Sequence, residues 1–263
     1  MVFSAHGARS APPITAEESH SMMMCLVPER RRGPETIDLP PESYSQSEFA
    51  GNLADIRNVN RFLGDNRATL KLFSALVPAI AGSLAKPITV LDVATGSADI
   101  PVAIVKWARK QGIRIEVTAV DNNPIAVREA EAFTLGYPEI TIAVADGFSL
   151  PFEEGSFDIV LCAKTLHHFS EEDTVRLLQE IGRVAAIGYI VMDLRRSWVA
   201  WALIAVLTRL FTRNSFTRYD GPMSVLRSYT VPELDALAER AGLAGRRVVK
   251  EPFWLMVVWG RKG

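Results

Sequence analysis

The sequence holds little of what marks several common protein classes. Two of its 263 residues are cysteines, Cys25 and Cys162, which share no metal-ligand spacing and are expected to remain reduced. The four histidines also lack a metal-binding pattern, so no metal is predicted. The net charge is -1 and basic residues form no sustained stripe, which argues against nucleic acid as a partner.

Long apolar segments are missing as well. The start of the chain lacks the basic stretch followed by an apolar core that a secretory signal needs. The apolar run at residues 198–208 holds about eleven residues, which is short of the ~20 that span a bilayer. We therefore expect a cytoplasmic protein.

The most informative stretch present is ITVLDVATGSADIP at residues 88–101. Its first six residues form a continuous apolar and β-branched run, as expected for a parallel strand covered on both faces. Asp92 lies at the carboxyl end of this strand, Gly96 allows a sharp turn, and Pro101 suits a first helical turn. Ligands of open α/β sheets bind just outside the carboxyl ends of strands. The turn at residues 94–98 is therefore predicted to be the floor of a ligand site.

Two further predicted strands also end in carboxylates. The strand at residues 115–120 precedes Asp121, and the strand at residues 140–145 precedes Asp146. In nucleoside-binding α/β folds, an acid at the end of the second strand accepts hydrogen bonds from both ribose hydroxyls. Three acids at the ends of three consecutive strands together predict a nucleoside site at one edge of a sheet.

The first turn also limits the chemistry of the ligand. The dinucleotide fingerprint G-x-G-x-x-G is absent, because Gly96 alone of its glycines is present. Asp99 falls in the first turn of the following helix, where its charge would repel a pyrophosphate bound at the same N-terminus. A ligand that has no phosphate or carries positive charge fits better.

The pattern D-V-A-x-G-x-x-D, from Asp92 to Asp99, resembles motif I of the class I S-adenosylmethionine-dependent methyltransferases. It looks most like the quinone-biosynthesis enzymes of that class, although Ala94 and Ala98 replace the usual outer glycines. The resemblance implies S-adenosylmethionine as cofactor. It also implies an α/β, Rossmann-like fold: a seven-stranded, mostly parallel sheet with an antiparallel C-terminal hairpin, helices on both faces, an N-terminal helical cap, and a lid helix after strand five.

The same resemblance implies roles for individual residues. Asp92 would lie by the methionine portion, Asp121 would hold the ribose, and Asp146 would accept from the adenine amino group while Phe148 packs on the ring. The predicted cofactor-binding set is Asp92, Ala94, Gly96, Asp99, Asp121, Asn122, Asp146, Gly147 and Phe148.

Composition divides the chain into two parts. Residues 1–42 are rich in Pro, Ser, Ala and Arg without periodicity, and we predict a disordered or loosely attached tail. Residues 43–263 form the methyltransferase domain, beginning with helices at residues 43–84. Within them, NVNRFLGDNR at residues 58–67 resembles the cap of the quinone methyltransferases. The alternative is a helical hairpin that merely packs on the sheet.

Two histidines follow the fourth predicted strand. His167 and His168 fall at the predicted active-site edge, where a neutral imidazole can accept a proton from a phenol. The alternative is that one is a hydrogen-bonded structural residue and the other is simply exposed.

Residues 194–230 are predicted to cover the substrate. The apolar helix at residues 198–211 suits a lid or an interfacial helix that contacts a membrane, and the alternative is a helix buried against the cap. Residues 218–230 contain Gly-Pro punctuation and predict a loop, with Tyr219, Asp220 and Arg227 as substrate contacts.

Together these features predict methyl transfer from S-adenosylmethionine to a small, apolar acceptor that is phenolic, quinone-like or a polyketide. O-methylation is favoured, and ring C-methylation is the alternative. Two other classes stay open: a nicotinamide-dependent oxidoreductase on the same architecture, and a non-catalytic protein that binds S-adenosylmethionine. The sequence does not predict the oligomeric state.

Overall fold

A single seven-stranded sheet organises the structure, a computed structural model that describes residues 27–79 and 86–262. The strand order is β3-β2-β1-β4-β5-β7-β6, with β1 to β5 parallel and β7 antiparallel to both β5 and β6. The strands are β1 (Ile88–Val93), β2 (Ile115–Asp121), β3 (Ile140–Val144), β4 (Phe157–Ala163), β5 (Ala185–Leu194), β6 (Arg247–Glu251) and β7 (Leu255–Arg261). The Rossmann-like prediction is confirmed, including the antiparallel C-terminal hairpin.

Helices cover both faces of this sheet. In the described part of the chain they are α1 (Gln46–Phe62), α2 (Asp65–Leu76), α3 (Asp99–Gln111), α4 (Pro124–Thr134), α5 (Glu171–Val184), α6 (Trp198–Phe211), α7 (Ser215–Arg227) and α8 (Val231–Arg240). Alternate strand residues face opposite layers: Val90 packs with α2 and α3, and Leu91 packs with α5 and α8. Burial on both faces explains why the central strands are continuous apolar runs.

The strand order fixes where a ligand can bind. β2 lies on one side of β1 and β4 on the other, so the direction of winding reverses at β1. A crevice therefore opens beyond the carboxyl ends of β1 and β4.

Residues 27–42 differ from the predicted loose tail. They contain two 3-10 turns, Thr36–Asp38 and Pro41–Ser43, and they pack along α7. The Arg31 N–H donates to the carbonyl of Leu226 at 3.0 Å. Asp220 accepts from the N–H groups of Thr36 and Ile37 at 2.7 and 3.2 Å. These long-range contacts cannot be seen in a local pattern. The remaining predicted tail, residues 1–26, lies outside the described residues.

Helix α1 lies over the turn that follows β1. Ser45 begins it with a capping box, accepting from the Glu48 N–H while the Glu48 side chain accepts from the Ser45 N–H. Phe49 and Leu53 pack against Ile125 on α4, which fixes the helix above the sheet edge. Helix α2 ends at Leu76, before a 3-10 turn at Val77–Ala79, and residues 80–85 lie outside the described part.

Residues 218–227 are helical, so the loop predicted for this segment is wrong. Helix α7 starts at the cap residue Asn214, whose side chain accepts from the Thr217 N–H, and it includes Pro222. Gly221 is in tight contact with α6: a Cβ there would lie 3.1 Å from both Ile204 and Thr208. Close packing of the two helices overrides the turn signal of the Gly-Pro pair.

Helix α6 is also not buried against the cap, so that interpretation is wrong. Its main partner is α7, and Val199, Leu203, Val206 and Leu210 are exposed along one face. These positions recur at spacings of three and four residues, which places them on a single stripe. Among the described residues, no helix combines the length and apolar character needed to cross a membrane.

Candidate functional site

A cavity of about 900 Å³ opens beyond the carboxyl ends of β1, β2, β4 and β5. It brings together nearly all the predicted site residues: Asp92, Ala94, Gly96, Asp99, Asp121, Asn122, Asp146, Gly147, Phe148, His167, His168, Asp220 and Arg227. Tyr219 is the exception, because its side chain is 54% exposed and lies outside the cavity lining. Its position on the outer side of α7 does not fit the predicted substrate contact.

The turn after β1 forms the floor of the cavity. Ala94 and Ala98 both have φ of 57°, in the left-handed region that favours glycine. Each alanine there costs roughly 1 kcal/mol. The turn is held by the Thr95 N–H, which donates to the Val120 carbonyl at 2.9 Å, and by the Gly96 N–H. Alanine thus keeps the backbone path that the usual glycines provide.

Asp92 lies beneath this turn and is fully buried. The Thr95 hydroxyl donates to its carboxylate at 2.6 Å. Burial raises the pKa of Asp92 to about 7, and the nearby Asp99 and Asp121 act in the same direction. A cation bound above the turn would therefore stabilise the charged form of Asp92.

Asp121 connects β2 to the turn. One carboxylate oxygen accepts from the Gly96 N–H at 2.9 Å, and the other accepts from the Asn123 N–H at 2.9 Å. Burial raises the pKa of Asp121, while these backbone donors oppose the rise. The carboxylate is therefore oriented at the cavity wall before any ligand binds.

The third carboxylate is set by a short loop after β3. The Phe148 N–H donates to Asp146 at 2.9 Å, and the Phe148 ring meets Phe169 edge to face at 4.8 Å. A Cβ at Gly147 would lie 3.2 Å from the side chains of both Leu177 and Val93, so a larger residue there would have to push them aside slightly. The loop thereby presents a carboxylate and an aromatic ring side by side.

A polar network that was not predicted from the sequence connects the cap to the cavity. The Asn60 amide donates to both oxygens of Asp99, at 3.3 and 3.1 Å. The Lys164 ammonium donates to the Asn60 carbonyl oxygen at 2.7 Å and lies 2.7 Å from Asp65. Burial raises the pKa of Asp99, and Asn60 and Lys164 oppose this. These residues come from separate segments, so no local motif indicates the network.

His167 is buried, lines the same cavity as the turn at residues 94–98, and is held by Asp193. Its Nδ1 lies 2.7 Å from one Asp193 oxygen, and its backbone N–H donates to the other at 2.9 Å. Burial alone would raise the pKa of Asp193, but His167 and backbone donors hold it below its usual value. Because a carboxylate can only accept, Nδ1 of His167 carries a proton and Nε2 is the free ring nitrogen.

Glu35 faces that free nitrogen. Its side chain is 2% exposed, and its Oε1 lies 3.7 Å from Nε2 of His167. The Ser224 hydroxyl donates to the other oxygen at 2.7 Å. Burial raises the pKa of Glu35 to about 7. No local signal in the sequence marks Glu35, because it falls in the segment that composition predicts to be a tail.

Arg227 and Asp38 hold the second histidine. Nδ1 of His168 lies 2.6 Å from Asp38, whose other oxygen also accepts from Arg227. Burial alone would raise the pKa of Asp38, but His168 and Arg227 keep it well below its usual range. Arg227 also donates to the backbone carbonyls of His167 and His168, at 3.1 and 2.7 Å. Arg227 lines the cavity, yet its hydrogen bonds position the histidine turn.

Comparisons with known proteins agree with this arrangement. A family model described as a methyltransferase domain matches residues 90–188. A demethylmenaquinone methyltransferase of Bacillus pumilus is 29% identical over 168 residues, which cover 59% of this chain and 70% of that protein. A ubiquinone/menaquinone biosynthesis C-methyltransferase of Rickettsia bellii is 27% identical over 38% of this chain and 44% of its own length. The chain thus aligns with less than half of that second relative.

The fold has counterparts among solved structures. A SAM-dependent methyltransferase from Aquifex aeolicus superimposes with a TM-score of 0.57 at 22% identity. The superposition covers 83% of this chain and 98% of the other. At this identity the likeness concerns the fold alone.

Proposed function

Because the chain is a class I S-adenosylmethionine-dependent methyltransferase similar to quinone-biosynthesis enzymes, we propose that it methylates a small, hydroxylated aromatic acceptor. The observation that carries this proposal is the shared cavity. It is lined both by the turn at residues 94–98, called the cofactor turn below, and by the buried His167 that pairs with Asp193. A histidine that can take up a proton close to the cofactor suits a substrate whose hydroxyl is ionised before it receives the methyl group.

The cofactor is proposed to lie along the three strand-end carboxylates. Asp92 faces the cationic methionine end, Asp121 accepts from the ribose hydroxyls, and Asp146 accepts from the adenine amino group beside Phe148. The buried Asp92 and the half-buried Asp121 strengthen the attraction to a cation, because water screens their charges poorly. The network through Asn60 and Lys164 supports this side of the cavity by holding Asp99 in place.

The transfer itself is proposed as an in-line displacement. The hydroxyl of the methyl acceptor gives its proton to Nε2 of His167. Its oxygen then forms a bond to the methyl carbon as the carbon–sulfur bond breaks. The bonding electrons stay on sulfur, which becomes a neutral thioether. The protein contributes alignment and exclusion of water, because the sulfonium is already activated.

O-methylation of the phenolate is the first candidate reaction. Ring C-methylation is the second, because the relatives' printed names describe C-methylation and demethylmenaquinone methylation. Both reactions begin with the same phenolate, since ionisation of the hydroxyl also makes the ring carbons beside it and opposite it nucleophilic. The site described above therefore serves either reaction.

An apolar acceptor suits the lid. Ile204 and Thr208 on α6 line the cavity together with Phe169 and Leu194. The opposite face of α6 carries the exposed apolar stripe, and the helix contains no acidic residue while Arg209 lies in its last turn. We propose that this face rests on an anionic lipid surface, from which an apolar acceptor enters the cavity.

Incubation with methyl-labelled S-adenosylmethionine tests the proposal. The labelled cofactor is mixed with a panel of quinols and phenols, and products are analysed by mass spectrometry with and without the enzyme. Label on an oxygen is released as a methoxy-derived fragment, whereas label on a ring carbon is retained on the ring. Cofactor binding without labelling of any aromatic acceptor would overturn the proposal in favour of a non-catalytic binding protein. NADH binding with no binding of S-adenosylmethionine would indicate an oxidoreductase.

A further inference from the structure

We propose that Glu35, His167 and His168 together bind a divalent transition-metal ion of the zinc type. One ligand atom from each residue lies within 4.8 Å of the other two. Two imidazoles and one carboxylate are a donor set of catalytic zinc and non-haem iron sites, which leave further coordination positions open. The histidine spacing alone predicts no metal site, because folding brings the third ligand from a distant segment.

The strongest support is an unsatisfied oxygen on Glu35. Its Oε1 is buried and has no hydrogen-bond partner among the described residues, although the Ser224 hydroxyl satisfies Oε2. This oxygen lies 3.7 Å from Nε2 of His167, which is too far for a hydrogen bond. A buried carboxylate oxygen without a partner is costly. A metal ion between the oxygen and the ring nitrogen would remove that cost.

Both histidines are already oriented as metal ligands usually are. Asp193 accepts from Nδ1 of His167 at 2.7 Å, and Asp38 accepts from Nδ1 of His168 at 2.6 Å. Metal-binding histidines almost always donate their other N–H to a carboxylate or carbonyl, which fixes the tautomer and increases the basicity of the ligand nitrogen. The two carboxylates therefore leave Nε2 of each ring free to bind an ion.

Three carboxylates lie close to the two imidazoles: Glu35, Asp38 and Asp193. Arg227 donates to Asp38 and lies 3.7 Å from Glu35 Oε1. Arginines 30–32 line the adjoining pocket beside the histidines, where the Arg30 guanidinium donates to the backbone carbonyls of Phe169 and Arg227. Because none of these guanidinium groups forms a hydrogen bond to Glu35 Oε1, that oxygen is the atom a divalent ion would meet.

The three ligand atoms would have to come slightly closer together to bind one ion. Two ligands that are each ~2.1 Å from a zinc ion lie about 3.4 Å apart in a tetrahedral site. The Glu35–His167 separation is already close to this value, and the ligand atom of His168, which lies within 4.8 Å of the other two, would have to move closer. The three residues line the cavity, so an open coordination position would face the acceptor. Nε2 of His167 cannot hold a metal ion and accept a proton at the same time, so a bound ion would take over ionisation of the acceptor hydroxyl, as metal ions do for bound water. That role rests on the proposed function, whereas metal binding does not.

Metal binding by the full-length protein tests the inference. The chelator-treated protein is titrated with Zn²⁺, Co²⁺ and Mg²⁺, and bound metal is measured by mass spectrometry and by competition with a chromogenic chelator. We expect one equivalent of Zn²⁺ or Co²⁺, and no stoichiometric Mg²⁺, because imidazole ligands disfavour magnesium. The bound Co²⁺ should give visible bands of a nitrogen and oxygen site without thiolate charge transfer.

Variants locate the ion. Glu35→Gln and His168→Gln are each expected to weaken Zn²⁺ binding at least a hundredfold, and Asp193→Asn to weaken it 10- to 100-fold. The control His6→Gln/His20→Gln removes the other two histidines and should bind like the wild type. If Glu35→Gln fails to fold, His168→Gln supplies the test, because its side chain is 18% exposed.

Three results would overturn the metal site: no stoichiometric transition metal, equal affinity in all variants, or loss of binding in the control alone. These measurements use neither cofactor nor acceptor. If the wild-type protein binds the metal but methylates no acceptor, the proposed function alone would therefore be rejected. Methylation by a protein that binds no metal would reject the metal site alone.

Discussion

The two halves of the cavity are built in different ways. The cofactor half comes from one continuous stretch of chain, residues 88–148, in which each carboxylate lies at or just beyond the carboxyl end of its own strand. The acceptor half joins four separate segments: Glu35 and Asp38, the 3-10 turn Leu166–His168, Asp193 on β5, and α7. Repetition of one βα unit creates the first half, whereas packing of distant segments creates the second. Variants in the two halves should therefore change different kinetic constants.

The largest expected effect is on turnover. We expect His167→Gln to lower kcat by about 10²–10⁴-fold, because it removes the buried nitrogen facing the acceptor. Affinity for S-adenosylmethionine should stay within about twofold of wild type, since His167 lies in the acceptor half. Steady-state kinetics and calorimetry on the same preparation measure both quantities. A loss of cofactor affinity equal to the loss of kcat would contradict the division into halves.

The opposite pattern is expected for Asp121→Ala. Loss of two charged hydrogen bonds to a ribose costs about 3 kcal/mol, which is roughly a hundredfold in Kd. Calorimetry with S-adenosylmethionine measures this change. Glu116→Ala, an exposed position on the same strand, is the matched control and should leave Kd unchanged. Equal affinity of wild type and Asp121→Ala would remove the ribose assignment.

A smaller effect is expected from pH. Burial raises the pKa of Asp92 to about 7 in the free protein, and a bound cation would lower it again. Affinity for S-adenosylmethionine should therefore increase as pH rises from 5.5 towards 7 and then level off, changing at most tenfold per pH unit. The groups facing Asp92 are Asp99, Asp121 and the Thr95 hydroxyl.

Asp92→Asn separates this effect from the other titrations. Its affinity should be weaker at pH 8 and should lose the pH-dependent component seen in the wild type. Calorimetry in buffers of different ionisation enthalpy also reports the proton released by the wild type on binding. An unchanged pH profile in Asp92→Asn would show that another group is responsible.

The smallest expected effect is on membrane contact. Leu203→Glu and Leu210→Glu place charges on the exposed stripe of α6, and vesicle flotation should show a several-fold loss of binding to anionic liposomes. Both side chains are exposed, so thermal stability and turnover of a water-soluble acceptor should change little. Leu135→Glu makes the same change of charge at a leucine that is 88% exposed after α4, and it is the matched control. Equal flotation of all variants would contradict the lipid-facing assignment.

The sequence predicts the cofactor half well because its signals are local. Asp92, Asp121 and Asp146 each lie at or just beyond the end of an apolar strand, and the carboxyl ends of parallel strands meet at one edge of the sheet. Glu35 has no such signal, since its burial depends on contacts with α7 almost two hundred residues later, such as the one to Ser224. The sequence pattern does not predict helix α7, because the inward-facing polar residues Asp220 and Arg227 disrupt its amphipathic pattern.

The packing of residues 35–38 has a consequence for shortened chains. A chain cut to begin at Ser43 would retain every strand, the turn at Gly96 and helix α1, so its cofactor half would be complete. It would lack the carboxylates of Glu35 and Asp38, and Asp220 would lose the two N–H groups that it accepts from. Such a truncated chain would still bind the methyl donor but could not transfer the methyl group, although the rest of its architecture would be native.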